Sequence, residues 1–332
     1  KRLEVKGTAR LRGQAHGAAH RELITECVSD FMEKTAALRA SGEAAKRWAQ
    51  VVKDVRSKLG AESPEALEEL EGIAAEVGGD PAAHLAYALE EDILPALDVQ
   101  LLRARIAEWL GSDVIALPNV TGRVTRVLFR MVRPGPLTLV DHVGEELDMP
   151  ALVLGRPGTL GCFGINRDGL ACAKQPLLGG RFFPEGQLCN ATFRKVLKAP
   201  NHQSASAGVN DWKFRFETSF FVADSQKAIS VEAFPTSTRI LGTFAMSATA
   251  AHTNHRVGPV PADDALAQAS LARLKTMRAL FPSGEDPELK AVIKKMQTTT
   301  TVKPGQRPRL LFAANLKPEG TQISWRAENA VE

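Results

Sequence analysis

Among the groups in this 332-residue chain that could do chemistry are a histidine pair, four cysteines and two nucleophile candidates that follow glycine. His252 and His255 flank Asn254 in "AHTNHRVG" at a spacing of three, which would suit metal ligation, but no carboxylate or cysteine stands at a supporting distance. They read better as hydrogen-bonding structural groups, and neither a metal nor any other cofactor is expected. Cys27, Cys162, Cys172 and Cys189 are separated by 135, 10 and 17 residues with no CxxC pair, which argues against zinc and for a reducing, cytoplasmic compartment. Ser112 follows Gly111, and Cys162 follows Gly161. A thiol titrates near ~8.5 and is intrinsically nucleophilic, whereas a serine hydroxyl stays protonated and needs a positioned base. Acyl transfer also needs a donor aimed at the attacked oxygen. The side-chain amide of Asn254 is neutral, short and able to donate without titrating.

These groups must be held by elements of two textures. Residues 1–13 read as a short strand and a glycine-containing turn that carries Arg12 and Gln14 and leads to His16. From His16 to about Leu59 apolar residues recur at helical spacing, interrupted near Ser41-Gly42, which predicts two helices. Ser63-Pro64 and Asp80-Pro81 each open a further helix, Gly78-Gly79 closes the first of these, and a last helix over 98–110 ends at Gly111. Beyond Gly111 the residues turn β-branched and alternating, predicting strands over 112–118, 125–133, 137–143 and 151–154. "LGCFGINRDGLACAKQPL" predicts a hairpin closed by Asp168-Gly169, followed by a helix near 189–199 and a loop over 200–211. A second hairpin turns at Asp224-Ser225-Gln226, a strand spans 239–245, a helix 264–281, and two strands end the chain. Runs of strands bracketing paired helices predict an α+β fold rather than a parallel βαβ array.

Composition narrows the partners. The net charge of +4 comes from 42 basic and 38 acidic residues spread along the chain, with no long basic run, so nucleic acid is not an expected partner. No segment approaches ~18 uninterrupted apolar residues and the first residues are charged, so neither a membrane span nor a signal peptide is expected.

The segments "KGTARLRGQAHGAAHREL", "ALEELEGIAAEVGGD", "EEDILPAL", "LGCFGINRDGLA", "FFVADSQKAISVE", "HTNHRV" and "SLARLKTM" occur in that order. Together they resemble the acyl-coenzyme A:6-aminopenicillanate acyltransferase (isopenicillin N acyltransferase)-like family of N-terminal-nucleophile hydrolases and acyltransferases. The resemblance implies a four-layer αββα sandwich with a helical N-terminal region. It also implies an inactive precursor, or zymogen, that cuts its own backbone before a nucleophile whose freed α-amine then serves as base. On this resemblance the cut falls between Gly111 and Ser112. It leaves a helical fragment 1–111 and a core 112–332 that remain one structural unit as a heterodimer, with further oligomerisation open. Ser112 takes the nucleophile position, Asn254 the oxyanion position, and Arg273 that of an arginine that orders the site. Relatives have an acid about twenty residues beyond the nucleophile; here Asp148, thirty-six residues beyond Ser112 and ahead of Met-Pro, is the candidate for it, with altered loops between. Asp113, His252 and His255 are the expected substrate neighbours. The implied activity is amide hydrolysis or acyl transfer through an acyl-enzyme on a small amide or acyl-thioester substrate, in secondary metabolism.

The chain departs from that pattern at several positions. Ser112 stands where the family has cysteine, Asp113 where a small hydroxyl residue is common, and Ala272 where relatives often have serine before the arginine. An acid next to the freed amine would raise that amine's pKa and weaken it as a base, unless Asp113 points to solvent. Three alternatives stay open: a natural serine nucleophile, a precursor blocked by a Cys-to-Ser replacement, and an inactive family member that binds a small molecule. Relocation of the chemistry to Cys162 is a further alternative, although a buried core cysteine is the default there.

Overall fold

In the computed structural model, which describes residues 2–106, 112–118, 125–131, 136–143, 151–234, 237–245, 250–282, 288, 291, 294, 310–316 and 322–327, the strands form two sheets. One has eight strands in the order β1 (Arg2–Val5), β4 (Thr138–His142), β5 (Ala151–Gly155), β6 (Phe163–Asn166), β7 (Ala171–Pro176), β8 (Thr218–Ala223), β9 (Lys227–Ala233) and β10 (Thr238–Ala245). β1 runs parallel to β4, with Arg2 opposite Leu139, and every other pairing in this sheet is antiparallel. The other sheet has five, ordered β11 (Ala250–His252), β2 (Ser112–Pro118), β3 (Thr125–Met131), β12 (Leu310–Leu316) and β13 (Gln322–Ala327).

The two-residue period of the strands decides the layers. Val114 and Ala116 of β2 face Leu152, Phe163, Ala173 and Phe221 of the large sheet, forming the apolar seam between the sheets. Ile115 and Leu117 point the other way, against Leu274, Met277 and Phe281 on and just after α10 (Ala265–Leu280). The outer face of the large sheet packs Cys172, Phe220 and Val222 against Phe193 and Leu197 of α8 (Cys189–Leu197) and Ala205 of α9 (His202–Ser206). The architecture is α+β in four layers, αββα. The hairpin at Asp168-Gly169 forms as expected: Gly169 adopts φ +81° and donates to the Asn166 carbonyl at 3.2 Å. The 200–211 stretch is not wholly a loop, because Asn201 caps α9 by accepting from Ser204 N–H at 2.9 Å.

Residues 9–105 form α1 (Ala9–Ala19), α2 (Arg21–Lys34), α3 (Gly42–Glu62), α4 (Pro64–Val77), α5 (Pro81–Ala88), α6 (Glu90–Leu97) and α7 (Val99–Arg105). The expected glycine turn after β1 is a helix instead, with Arg12, Gln14 and His16 all inside α1. The glycines serve packing: a Cβ on Gly13 would sit 2.0 Å from the Glu69 carbonyl oxygen, and one on Gly72 would sit 2.3 Å from that of Arg10. α1 and α4 therefore cross with their backbones nearly touching. No described helix is long and apolar enough to cross a membrane.

Buried ion pairs and hydrogen bonds fasten this helical region to the sandwich. Glu69 pairs with Arg194 at 2.7 Å, Glu90 with Arg156 at 2.7 Å, and Glu91 with Lys174. Asp92 accepts from Cys189 N–H at 3.2 Å, Tyr87 donates to the Pro157 carbonyl at 2.9 Å, and Gly158 N–H donates to His16 at 3.3 Å. Burial alone would push the Glu69 carboxyl up, but the charges of Arg194 and its neighbours hold it below the usual range. Burial would likewise lower the Lys174 ammonium, and the Glu91 carboxylate more than reverses that.

Candidate active site

Ser112 is the first residue of β2, between β11 and β3. Its parity is that of Val114 and Ala116, so its side chain enters the gap between the sheets, 3% exposed. Gln175 comes from the facing strand, where Ala171 and Ala173 set the same inward parity, and it is fully buried. Its Nε2 donates to the Ser112 carbonyl oxygen at 2.9 Å and to Oγ at 3.2 Å. The Ser112 N–H in turn donates to Asn254 Oδ1 at 2.9 Å.

Asn254 follows β11 and is fixed from both ends. Its Oδ1 receives Ser112 N–H and, at 3.3 Å, an Arg273 Nη2 hydrogen, while its Nδ2 donates to the Pro176 carbonyl at 3.1 Å. Those partners settle the amide's orientation, since two obligate donors face one end and a carbonyl the other. Leu178 N–H donates to the Asn254 carbonyl at 2.8 Å, so the end of β7 and the turn after β11 are tied together around Ser112.

Asp113 lies on the opposite face of the strand, the one that carries Ile115 and Leu117 against α10. It does not point to solvent: its side chain is 0% exposed and accepts from Arg273 Nε at 2.9 Å. Arg273 also donates to Ser270 Oγ at 3.4 Å, one turn earlier on α10, as the i, i+3 spacing requires. His255 joins this side. Its Nδ1 lies 2.9 Å from Thr253 Oγ1 and 3.1 Å from Ser270 Oγ, and burial lowers its pKa to about 4, so the ring is neutral. His252 faces the inter-sheet gap instead, with Nε2 3.1 Å from the fully buried Glu232. Asp113, His252 and His255 are thus each engaged by the protein's own groups.

Ser112, Asn254 and Arg273 are brought together, whereas Gly111 and Asp148 lie outside the described residues. Sequence reasoning missed Gln175; its only signal is a polar residue at the end of an otherwise apolar inward row, Ala171, Ala173, Gln175. The rival cysteines fare differently. Burial pushes the thiols of Cys27, Cys172 and Cys189 up, leaving them protonated. Cys162 is half-buried in the inter-sheet seam, its Sγ 3.6 Å from the Leu154 carbonyl.

Residues 152–306 match the family model described as acyl-coenzyme A:6-aminopenicillanic acid acyl-transferase. The matched stretch contains Gln175, Asn254 and Arg273 and begins after Ser112. That family supports chemistry of the amide-hydrolase or acyltransferase kind. Among solved structures, penicillin V acylase from Agrobacterium tumefaciens is similar at 11% identity and a TM-score of 0.37, covering 65% of this chain and 86% of that one. No curated protein matches the chain.

Proposed function

We propose, for a chain whose residues 152–306 match the family model of acyl-coenzyme A:6-aminopenicillanic acid acyl-transferase, an amide hydrolase or acyltransferase that matures by cutting itself before Ser112. In maturation Ser112 Oγ attacks the Gly111 carbonyl carbon, the peptide C–N bond breaks as the ester C–O bond forms and the Ser112 nitrogen takes the hydroxyl proton to become a free α-amine, and water then hydrolyses the ester to restore Oγ–H and leave the Gly111 carboxylate. Cleavage leaves fragments of 111 and 221 residues. Strand β1 and the buried pairs Glu69–Arg194, Glu90–Arg156 and Glu91–Lys174 hold them together.

In turnover the α-amine, with an ordinary pKa near ~7.7, takes the Oγ proton as Oγ attacks the carbonyl of a small amide or thioester. Gln175 Nε2 and the side-chain amide of Asn254 stabilise the oxyanion, and Asn254 Oδ1 orients the amine. The leaving amine or thiolate takes a proton, and water or an acceptor amine attacks the acyl ester to restore Oγ–H. Arg273 positions Asn254 rather than touching substrate.

One observation carries this reading: the backbone nitrogen of Ser112, the atom cleavage would convert to the base, is 2.9 Å from Asn254 Oδ1 while its Oγ is 3.2 Å from Gln175 Nε2. The match to the acyltransferase family model and a buried serine held at its N–H, carbonyl and hydroxyl support it together. The test is intact mass and amide turnover of the purified chain beside Ser112→Ala and Ser112→Cys. Two fragments that vanish in Ser112→Ala and persist in Ser112→Cys are expected. An uncut, inactive chain in which Ser112→Cys restores both properties means a blocked nucleophile. If that variant restores neither, the catalytic reading fails and the fold serves binding, which serine in the family's cysteine position favours.

A further inference from the structure

The helical region holds a cavity of about 850 Å3 that shares no residue with the Ser112 site and opens to the surface between α3, α4 and α5. Protein interiors are close-packed and leave few voids larger than a water molecule, and ligand pockets have volumes of roughly 300–1,000 Å3. Small side chains make the room here: Ala49 on α3, Ala74 and Ala75 on α4, and Ala82 on α5. The floor is apolar, formed by Trp48, Val52, Leu70 and Leu85, each no more than 6% exposed.

The rim has an excess of positive charge. Arg10, Arg39, Lys53 and Arg56 face Glu71 and Asp80, and both carboxylates are already engaged. Glu71 pairs with Arg56 at 2.5 Å, and Asp80 caps α5 by accepting from Ala82 N–H at 2.9 Å. The exposed side chains of Arg10 and Lys53 have no ion-pair partner among the described residues. Arg39 donates to the Met32 carbonyl and lies 5.4 Å over the Trp48 ring, and its Nε is buried without a hydrogen-bond partner among the described residues. That Nε is closed to solvent and Nη2 is held by Met32, so Nη1, which is neither bonded nor buried among the described residues, is the end of the guanidinium that a carboxylate can meet.

We propose that this cavity binds a single-chain anionic amphiphile of the medium-chain fatty carboxylate class. The alkyl chain lies along Trp48, Val52, Leu70 and Leu85, and the carboxylate meets Arg39, with Lys53 and Arg10 supplying further positive charge.

Titration calorimetry of the full chain with decanoate, below its micelle concentration, tests this against neutral decan-1-ol and anionic phosphatidylglycerol vesicles. One saturable decanoate site is expected, with decan-1-ol about tenfold weaker, the ratio one charge-assisted hydrogen bond supplies. Arg39→Gln should weaken decanoate by a similar factor and leave decan-1-ol nearly unchanged, and Ala74→Trp should abolish binding of both by filling the cavity. Should Ala74→Trp fail to fold, Lys53→Glu reverses a charge on an exposed position and should still weaken decanoate several-fold. The proposal is overturned by absence of decanoate binding, by equal affinity for acid and alcohol, by affinity indifferent to Arg39 and Lys53, or by binding to vesicles alone.

Discussion

Gln175 reaches Ser112 across the gap between the sheets, its Nε2 2.9 Å from the Ser112 carbonyl oxygen and 3.2 Å from Oγ, while its own Oε1 is buried with no partner among the described residues. A buried acceptor left unpaired costs stability, so an amide held this way earns its place through the donor end. Gln175→Leu is expected to lower kcat on an amide or thioester substrate by about 10²–10³, the cost of one oxyanion donor, with KM little changed. Steady-state kinetics, with circular dichroism to confirm folding, checks this; an unaltered kcat removes Gln175 from the machinery.

The Asp113–Arg273 pair spans the small sheet and α10, with the carboxylate fully buried and the guanidinium 14% exposed. Arg273→Gln removes the guanidinium from a fully buried carboxylate and should cost about 3–5 kcal/mol in urea unfolding. Asp113→Asn combined with Arg273→Gln should cost less than the sum of the two single variants by about 0.5–3 kcal/mol. Strict additivity would mean that the pair does not couple. Since Arg273 also holds Asn254, the single Arg273 variant should lose turnover even at temperatures where it stays folded.

The strand half of the fold was legible because its signals are local: alternation in β2, Gly169 at a hairpin turn where the chain adopts positive φ, and hairpins with short connections. The same alternation that sends Ser112 inward sends Asp113 outward, so its burial against α10 followed from the strand period once a helix was known to cover that face. Glycines 13 and 17 were illegible for the opposite reason. Along the chain they look like a turn, and only the partner backbone of α4, more than fifty residues away, explains them. Gln175 likewise acquires meaning from a residue 63 positions earlier on the other sheet. Asn254 and Arg273 were found through motif order rather than through any property of their immediate neighbours.

Gly13→Ala tests the close crossing of α1 and α4. The added methyl would meet backbone, the Glu69 carbonyl oxygen at 2.0 Å, which no side-chain rotation relieves. Although alanine is the better helix former, overpacking should win and destabilise by about 1–3 kcal/mol or more. Gly42→Ala, whose Cβ meets nothing within 4 Å, is the matched control and should be neutral or slightly stabilising in the same chemical denaturation.

Acid sensitivity follows from three histidines held neutral by burial: His16 with a pKa of about 4, His142 about 3 and His255 about 4, all below the ordinary 6.5. The unfolded chain takes up these protons below about 6.5 and the folded chain does not, so each histidine removes about 1.4 kcal/mol per pH unit as pH falls from there toward its folded value. Glu69, held below 4.5 chiefly by the charge of Arg194 with Arg12 beside it, adds its own loss only further down. Asp92, pushed up by burial, works in the opposite sense by taking a proton in the folded state first. Melting temperature should therefore fall steadily between pH 6.5 and 4.5, and His142→Gln should flatten that slope by about one histidine's share. A profile that stays level over this interval, or a His142→Gln slope equal to that of the parent, would mean that these rings are charged or solvated in the folded protein.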